Sequence, residues 1–196
     1  MASTHVSIAV EPHGRLLTAA DLAAMPTHLP SGDVDFELDK GRLILMVPPG
    51  RLHGRIQSRL AKALGVQGED AGLGVVITET GVVLSRNPDS VVGPDVAFIT
   101  SVKLPELESP EGYLETIPDL VIEILSRNDT TAELADKVAA YLAAGVRVVW
   151  VADPVAKTFV AHRSGSQPRF YKESDTLSLD DIIPGFRLCL ADVFPV

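Results

Sequence analysis

The chain is poor in cysteine, in long apolar runs and in positive charge. Its single cysteine, Cys189, excludes an internal disulfide and is typical of a protein from a reducing compartment. No apolar run approaches the ~18 residues that a membrane-spanning helix needs. The first ten residues also lack the basic region and the long apolar stretch of a secretory signal peptide. These absences predict a cytoplasmic protein with no membrane partner.

The shortage of positive charge bears on nucleic-acid binding. The formal net charge is −9, from 17 lysines and arginines against 26 aspartates and glutamates. A protein that captures nucleic acid by broad electrostatic attraction usually has a basic face. Here the positive side chains are scattered, apart from a modest group at Arg51, Arg55, Arg59 and Lys62. Any contact with DNA would therefore have to be local, or be helped by a bound cation that offsets an acidic site.

Common phosphate-binding and calcium-binding motifs are missing as well. The glycines at 68, 72 and 74 are not followed by the Gly-Lys-Ser/Thr of a phosphate-binding P-loop. The alternating acids of residues 33 to 39 lack the glycine and the terminal glutamate of a calcium loop. No motif for a serine nucleophile is present either.

Length and composition predict one globular domain. The chain has 196 residues, of which 46% are hydrophobic and 22% charged, enough to bury a sizeable core. Hydrophobic periodicity and turn residues predict helices over 18–25, about 52–66, 130–145 and 190–194. The same signals predict strands over 34–38, 42–47, 73–78, 81–84, 95–99, 119–125 and 147–152, with weaker ones near 157–162, 168–171 and 176–178. The order strand, helix, strand over 119–152 predicts a parallel pair, and so the α/β class.

The helix predicted over 52–66 combines an apolar stripe with the basic group. Its apolar positions follow the helical period and are Leu52, Ile56, Leu60, Ala63 and Leu64. The basic residues lie off this stripe. We therefore expect the helix to bury one side and to expose its positive charges to solvent.

The predicted strand 119–125 has an acid in a place where water is scarce. Its residues are apolar on both faces apart from Asp119 and Glu123, which is the pattern of a central strand covered on each side. A glutamate is seldom buried without a partner, because removing water from a carboxylate costs several kcal/mol. The partner of Glu123 could be an arginine or lysine in a structural ion pair, or a metal ion. The strand alone leaves both alternatives open.

Asp95 and Lys137 strengthen the metal alternative. Asp95 follows a proline at the start of another apolar strand, about 28 positions before Glu123. Carboxylates from two such strands could converge on a hard cation such as Mg²⁺, which prefers oxygen ligands. Lys137 lies three residues after Leu134 and four before Tyr141, so it borders the face of its helix that packs on the sheet. It could extend to solvent, or reach back toward Glu123.

Several ordered motifs resemble one known family. They are Phe36-Glu37-Leu38 with Gly41, His53, Pro94-Asp95-Val96, the run from Pro118 to Ser126, Lys137 with Tyr141, and the run from Gly145 to Pro154. Together they resemble the Uma-two family, a group of restriction-endonuclease-like proteins in the PD-(D/E)xK nuclease superfamily. The resemblance covers roughly residues 33 to 165, in the same order along the chain.

The resemblance implies a fold and a set of site residues. The fold would be a restriction-endonuclease-like mixed β-sheet flanked by helices, within one domain of residues 1–196. Residues 33–165 would form the nuclease-like core, and 1–32 an N-terminal helical extension. Asp95 and Glu123 would be the metal ligands. The lysine expected two residues after the acid is Leu125 here, and the resemblance implies that Lys137 takes its role.

Three further residues are weaker candidates. Glu37 and Glu79 are additional acids for the same site, although a glutamate on a strand is more often simply solvated. His53 matches a position of the family, although a lone histidine near the start of a helix is more often a hydrogen-bonding structural residue.

The resemblance also implies an activity. It would be Mg²⁺-dependent hydrolysis of DNA phosphodiester bonds by an endonuclease, with Mn²⁺ as a substitute cation and a homodimer as the assembly. A catalytically inactive dimeric binding or scaffold protein of the same fold is the main alternative, favoured by the net charge of −9 and by Leu125. A metal-dependent hydrolase of small phosphate esters is a third hypothesis.

Overall fold

A computed structural model describes residues 15–26, 28–29, 32–46, 48–104, 112–126 and 129–194. The first 14 residues of the predicted N-terminal extension lie outside these ranges. Its described part begins with a short helix, α1 (Ala19–Ala23), and continues into two short paired strands, β1 (His28–Leu29) and β2 (Gly32–Asp33). The division into an extension and a nuclease-like core stays a prediction.

Twelve further strands follow in the described residues. They are β3 (Asp35–Asp39), β4 (Arg42–Met46), β5 (Gly74–Ile77), β6 (Val82–Ser85), β7 (Ser90–Val92), β8 (Val96–Thr100), β9 (Leu120–Ile124), β10 (Val148–Asp153), β11 (Thr158–His162), β12 (Arg169–Lys172), β13 (Thr176–Ser178) and β14 (Arg187–Cys189). The larger sheet has six strands in the order β12-β11-β10-β9-β8-β5, and a smaller sheet has four in the order β4-β3-β7-β6. Strands β13 and β14 form a separate antiparallel pair.

The larger sheet mixes parallel and antiparallel pairs. Strands β9 and β10 run parallel, as the predicted strand-helix-strand unit requires. The other neighbours in this sheet are antiparallel. The predicted α/β fold with a mixed sheet is therefore confirmed.

The two long helices begin and end where local chemistry favours it. The second helix, α2, spans Arg51–Leu64 and continues into a π-helical turn at Gly65–Glu69. The third, α3, spans Thr131–Ala144. The Thr130 side chain accepts a hydrogen bond from the Glu133 backbone N–H, while the Glu133 carboxylate accepts one in return, and this capping box starts α3. Gly145 ends α3 in the left-handed region, at φ 106°. The predicted C-terminal helix is only a short 3₁₀ turn, Leu190–Asp192.

The helices cover opposite faces of the larger sheet. Ile56, Leu60 and Leu64 of α2 pack in one core cluster with Leu120, Ile122 and Ile124 of β9. Val138 and Tyr141 of α3 pack in a second cluster with Val121 and with residues of β10. Successive residues of β9 therefore point to different helices, and Glu123 lies on the face of α3.

One residue of α2 departs from its predicted place. The predicted apolar stripe began at Leu52, but this side chain is 43% exposed. His53 is buried in that turn instead. The buried positions of α2 are His53, Ile56, Leu60 and Leu64, so the predicted stripe is confirmed at Ile56, Leu60 and Leu64 and differs in the first turn. The prediction for this turn was wrong because a polar imidazole can be buried when it has a hydrogen-bond partner, and a pattern of apolar residues does not identify such a position.

Two short segments connect the sheets. Residues 78–81 lead from β5 of the larger sheet to β6 of the smaller one, and residues 93–95 lead from β7 back to β8. The Glu79 backbone N–H donates to the Pro94 carbonyl at 3.1 Å, which holds the two segments side by side. Two predicted site residues, Glu79 and Asp95, thus lie where the sheets meet. None of the helices in the described ranges is long and apolar enough to cross a membrane.

Candidate metal and catalytic centre

Asp95 is fixed between α2 and β9. Its Oδ1 lies 2.9 Å from His53 Nε2, in the first turn of α2. Its Oδ2 accepts a hydrogen bond of 2.6 Å from the backbone N–H of Ile124, the residue after Glu123. The two oxygens therefore have partners on different elements, which fix the orientation of the carboxylate.

His53, Glu79 and Asp95 form a group that could hold a cation. Each offers one ligand atom, and these atoms all lie within 4.8 Å of one another. Gln57, one turn after His53, donates to the Glu79 carboxylate at 2.5 Å and to the Asp95 carbonyl at 2.9 Å. Burial raises the pKa of Glu79, and the nearby Asp95 charge adds to this effect. A positive ion in the group would relieve the repulsion between its carboxylates.

The geometry and the donor atoms of this group fit a divalent metal. The distance of 2.9 Å between His53 Nε2 and Asp95 Oδ1 suits a hydrogen bond. It also suits two adjacent ligands of an octahedral ion, which lie about 3 Å apart when each is about 2.1 Å from the metal. Carboxylate oxygens are ligands for Mg²⁺ and Mn²⁺, and imidazole is a common ligand for transition metals. The residues present therefore fit Mn²⁺ at least as well as Mg²⁺.

The protonation of His53 is affected by two opposing forces. Burial disfavours the charged imidazolium, but the adjacent Asp95 carboxylate outweighs burial and raises the pKa of His53. The other ring nitrogen, Nδ1, is buried and has no hydrogen-bond partner among the described residues. Within the described chain, the imidazole of His53 is thus held only through Nε2, by Asp95, and Asp95 is also a candidate ligand for the cation.

A second group of residues surrounds Glu123. The Tyr141 hydroxyl donates to Glu123 Oε1 at 2.5 Å, and Lys137 Nζ lies 3.1 Å from Oε2. Lys137 Nζ also lies 3.3 Å from Glu37 Oε1, which accepts the backbone N–H of Gly93 at 2.9 Å. The glutamate is 8% exposed and the lysine side chain 23% exposed. Lys137 therefore turns inward from the edge of α3, and its charge is shared by two carboxylates.

The charges in this second group depend on one another. Burial raises the pKa of Glu123 to about 7, with Asp95 and Glu37 adding to the shift and with Lys137 and Tyr141 opposing it. Burial opposes the ammonium form of Lys137, but the carboxylates of Glu123, Glu37 and Asp95 outweigh it and raise the pKa of the lysine. Burial also raises the pKa of Tyr141, so its hydroxyl keeps its proton and donates to Glu123.

The structure thus arranges the six candidate residues in two adjoining groups. Asp95, His53 and Glu79 form the first; Glu123, Lys137 and Glu37 form the second. Asp95 connects them through its hydrogen bond to the backbone beside Glu123. The roles of these residues in catalysis and in metal binding stay predictions. In this geometry, both oxygens of Glu123 already have partners, whereas Asp95 belongs to the group that could hold a cation.

Two residues of the site were missed as polar participants. Tyr141 was placed on the packed face of its helix and in a motif of the family resemblance, but without a polar role, and Gln57 was not singled out. The signal for both is their spacing, since each lies four residues after another site residue, Lys137 and His53 respectively, on the same helix face.

Comparison with known proteins points to nucleases. The profile of the Uma2 family, described as "Putative restriction endonuclease", matches residues 20–191. No curated protein matches the chain. A crystal structure described as a "putative nuclease belonging to DUF820", from Anabaena variabilis, is similar with a TM-score of 0.76 and 18% identity, over 91% of this chain and 97% of that one. At this identity the similarity shows the fold alone, and that fold is the predicted one.

A second solved structure is less similar. It is a cryo-EM structure of a DrdV–DNA complex, with a TM-score of 0.33 and 17% identity over 62% of this chain and 85% of that one. A similarity this low carries no argument about either fold or partner.

Proposed function

The chain belongs to the Uma2 family of "putative restriction endonucleases", and from this premise we propose that it is a metal-dependent endonuclease that hydrolyses DNA phosphodiester bonds. One observation carries the proposal. The Asp95 carboxylate lies 2.9 Å from His53 and is hydrogen-bonded beside Glu123, whose own carboxylate lies 3.1 Å from Lys137. Carboxylates that could bind a metal therefore adjoin the half-buried ammonium group of Lys137, which could face a phosphate.

The proposed cofactor is Mg²⁺, with Mn²⁺ as a substitute. Asp95 is the ligand common to two donor sets, one with Glu123 and the other with His53 and Glu79. The first set follows from the sequence, and the second is favoured by the distances. When bound, a divalent cation lowers the pKa of a coordinated water and offsets the charge of the scissile phosphate.

Lys137 has a positioning and electrostatic role in the proposed reaction. Glu123 and Glu37 hold its ammonium group at 3.1 and 3.3 Å, and the raised pKa keeps it charged at neutral pH. A fixed positive charge in a site of low polarity stabilises the negative charge that grows on a phosphate during attack. In this proposal Lys137 also takes the role of the lysine that the family resemblance places two residues after Glu123, where this chain has Leu125.

Plasmid cleavage tests the proposal. Wild-type protein with Mg²⁺ or Mn²⁺ should nick or linearise supercoiled plasmid, and Asp95→Asn should slow the reaction by about 100-fold or more, because the shared ligand is lost. The matched control is Asp136→Asn, which removes the same charge from an exposed position on α3 next to Lys137. Equal rates for Asp95→Asn and the wild type would contradict the site assignment. No cleavage by the wild type with either cation would contradict the nuclease activity.

A catalytically inactive binding protein of the same fold is the second candidate. It is favoured by the engagement of both Glu123 oxygens by Tyr141 and Lys137, which by itself makes a complete structural network. A protein of this kind should neither cleave DNA nor show a heat of Mn²⁺ binding that Asp95→Asn removes.

We also propose that the chain forms a homodimer, on the basis of the family resemblance. Sedimentation velocity should give about twice the monomer mass of 20.9 kDa. A single species at the monomer mass, at the protein concentration used for plasmid cleavage, would contradict the proposed homodimer.

A further inference from the structure

The exposed face of α2 concentrates positive charge in an otherwise acidic protein. The helix has four lysines and arginines and no aspartate or glutamate in its 14 residues, whereas the whole chain has a net charge of −9. Arg51, Arg55 and Lys62 are all exposed. The fourth basic residue, Arg59, donates to the Val193 carbonyl at 3.2 Å and so anchors the C-terminal segment instead.

The three exposed residues lie on one side of the helix. Relative to Arg51, they occupy positions i+4 and i+11, and with the exposed Ser58 at i+7 they form a line along the axis. The buried residues His53, Ile56, Leu60 and Leu64 occupy the opposite side. We call Arg51, Arg55 and Lys62 the basic stripe. From its first to its last residue the stripe is about 16 Å long.

The basic stripe has no partner within the described chain, unlike most of its counterparts. Five other arginines form ion pairs with nearby acids: Arg15 with Asp21, Arg86 with Asp89, Arg147 and Arg163 with Asp181, and Arg187 with Asp180. No salt bridge to a described residue is present for Arg51, Arg55 or Lys62. The positive charge of the stripe is thus not balanced by a described acidic residue, although the protein has more acidic than basic residues.

Local energetics also oppose this arrangement unless an anion is nearby. Arg51 lies in the first turn of α2, where the helix dipole favours negative charge, and that turn has no acidic residue. Arg51 and Arg55 are four residues apart, a spacing at which like charges repel. An external polyanion along the helix would remove both penalties.

The stripe shares α2 with the candidate site but lies on the opposite side of the helix. The same helix supplies His53, 2.9 Å from Asp95, and Gln57, which binds Glu79 and the Asp95 carbonyl. The first half of α2 therefore has site residues on one side and Arg51 and Arg55 on the other. Phosphates of one DNA strand rise about 3.4 Å each along the duplex axis, so the length of the stripe corresponds to about five of them.

From these observations we infer that the basic stripe of α2 is the surface that binds the phosphate backbone of the nucleic-acid substrate. The inference rests on the proposed nuclease function for the identity of its partner. It explains how a protein of net charge −9 could hold DNA, since binding would be local to one helix. Because phosphate contacts carry no sequence information, the stripe would contribute affinity and register but no base preference.

Binding measurements with matched triple variants test the inference. The test variant is Arg51→Gln, Arg55→Gln, Lys62→Gln, and the control is Lys40→Gln, Arg42→Gln, Lys172→Gln. The control removes the same charge from exposed residues outside α2. Both are compared with the full-length wild type by fluorescence anisotropy, using a labelled 30-base-pair duplex of arbitrary sequence in EDTA, which holds back cleavage. Circular dichroism should show unchanged helix content, since glutamine is a good helix former.

Loss of phosphate contacts should weaken binding and reduce its dependence on salt. We expect the stripe variant to bind about tenfold more weakly or worse, and the control to bind within about twofold of the wild type. The slope of log affinity against log salt should fall by about 2 to 3 in the stripe variant, because each phosphate contact contributes about 0.9. Equal weakening in both variants would overturn the inference in favour of a general charge effect, and so would an absence of duplex binding by the wild type.

The outcomes separate this inference from the proposed function. If the wild type cleaves plasmid and the stripe variant binds DNA as well as the wild type, the nuclease stands and the binding surface is wrong. If binding depends on the stripe but no cleavage occurs with Mg²⁺ or Mn²⁺, the binding surface stands and the nuclease is wrong. A stripe variant that loses self-association in sedimentation, or binding to anionic vesicles, while DNA binding is unchanged would assign the stripe to those partners and overturn the inference.

Discussion

Asp119 and Glu123 differ in how many donors the fold gives them, although they lie four residues apart on one segment. Asp119 is 2% exposed and accepts the backbone N–H and the hydroxyl of Thr100, at 3.0 and 2.8 Å, while Lys103 Nζ lies 3.1 Å away. Burial alone would raise its pKa, but Thr100 and Lys103 outweigh burial and lower the pKa of Asp119. Glu123 shifts the other way, to about 7. The structural ion pair that the sequence left open for Glu123 therefore describes Asp119, which pairs with Lys103.

This difference predicts how Asp119 contributes to stability. Asp119→Asn should lower the free energy of unfolding by about 2–3 kcal/mol at pH 7, because Lys103 loses its carboxylate partner and keeps only its hydrogen bond to the Ile117 carbonyl. The folded pKa lies below the ordinary value of 3.8, so the contribution of the acid is complete above that value and is lost as pH falls below it. Urea unfolding at pH 7, 5 and 3.5 should therefore show a gap between variant and wild type that narrows only at the lowest pH.

A role for Asp119 in the site would give a different result. Mn²⁺ binding by Asp119→Asn should match that of the wild type, since Asp119 contacts none of the six candidate residues through the hydrogen bonds given above. A loss of stability that is equal at all three pH values, or a change in Mn²⁺ affinity, would contradict the structural assignment.

At the scale of elements, turn and cap residues were sufficient to predict where a strand or helix ends. The turn Asp39-Lys40-Gly41 joins the two strands predicted over 34–38 and 42–47, and Lys40 and Gly41 have φ of 47° and 78°. The helix predicted over 130–145 is likewise confirmed, with Thr130 and Gly145 as the cap residues of α3. These features depend on a few neighbouring residues, so the sequence pattern contains what is needed to place them.

Two very short strands and the packing of the two sheets were not predicted. Strands β7 and β14 have three residues each; β7 pairs with the preceding strand β6 and with β3, much earlier in the chain, and β14 pairs with the preceding strand β13. A three-residue strand is too short to show a period of two. The grouping of Glu79 with His53 was equally out of reach, because Glu79 lies in a connecting loop, at a φ of 53°. Sequence identified the acids of the site, but only the packing of the two sheets decides which of them are neighbours.

Two glycines provide a test of how closely the elements pack. On β5, a Cβ at Gly74 would lie 2.1 Å from the Ile99 carbonyl oxygen, whereas a Cβ at Gly54 of α2 would meet nothing within 4 Å. Gly74→Ala should therefore lower the free energy of unfolding by more than about 2 kcal/mol, because β5 and β8 must move apart. Gly54→Ala should raise it by about 0.5–1 kcal/mol through helix propensity.

Chemical denaturation of both variants provides the measurement. Both variants add the same methyl group, so changes of opposite sign in the free energy of unfolding would come from the surroundings of the two glycines. A Gly74→Ala protein as stable as the wild type would contradict the close approach of β5 to Ile99.

At the scale of the whole molecule, the candidate site exists only where the two sheets meet. Glu37 comes from the smaller sheet and Glu123 from the larger one, while Glu79 and Asp95 belong to the two segments that connect them. The helices α2 and α3 add His53 and Lys137 from opposite faces of the larger sheet. An unfolded chain cannot bring these residues together, so a metal that binds here should bind the folded state alone.

Metal binding should therefore stabilise the entire fold. A ligand at 100 times its Kd that binds only the folded state stabilises it by about 2.7 kcal/mol, which for a domain of this size corresponds to a rise in Tm of roughly 5–10 °C. We expect Mn²⁺ to raise the Tm of the wild type and of Asp136→Asn, EDTA to reverse the rise, and Asp95→Asn to abolish it.

Two further variants identify the donor set in the same assay. If the cation is held by His53, Glu79 and Asp95, then Glu79→Gln should lose most of the Mn²⁺-dependent rise in Tm, while Glu123→Gln should retain it. The distances favour this result, since the ligand atoms of the first set lie within 4.8 Å of one another and both Glu123 oxygens have other partners. The reverse pattern would assign the cation to Asp95 and Glu123, as the sequence predicted. A Tm that rises equally in the wild type and in Asp95→Asn would show that Mn²⁺ binds elsewhere on the molecule.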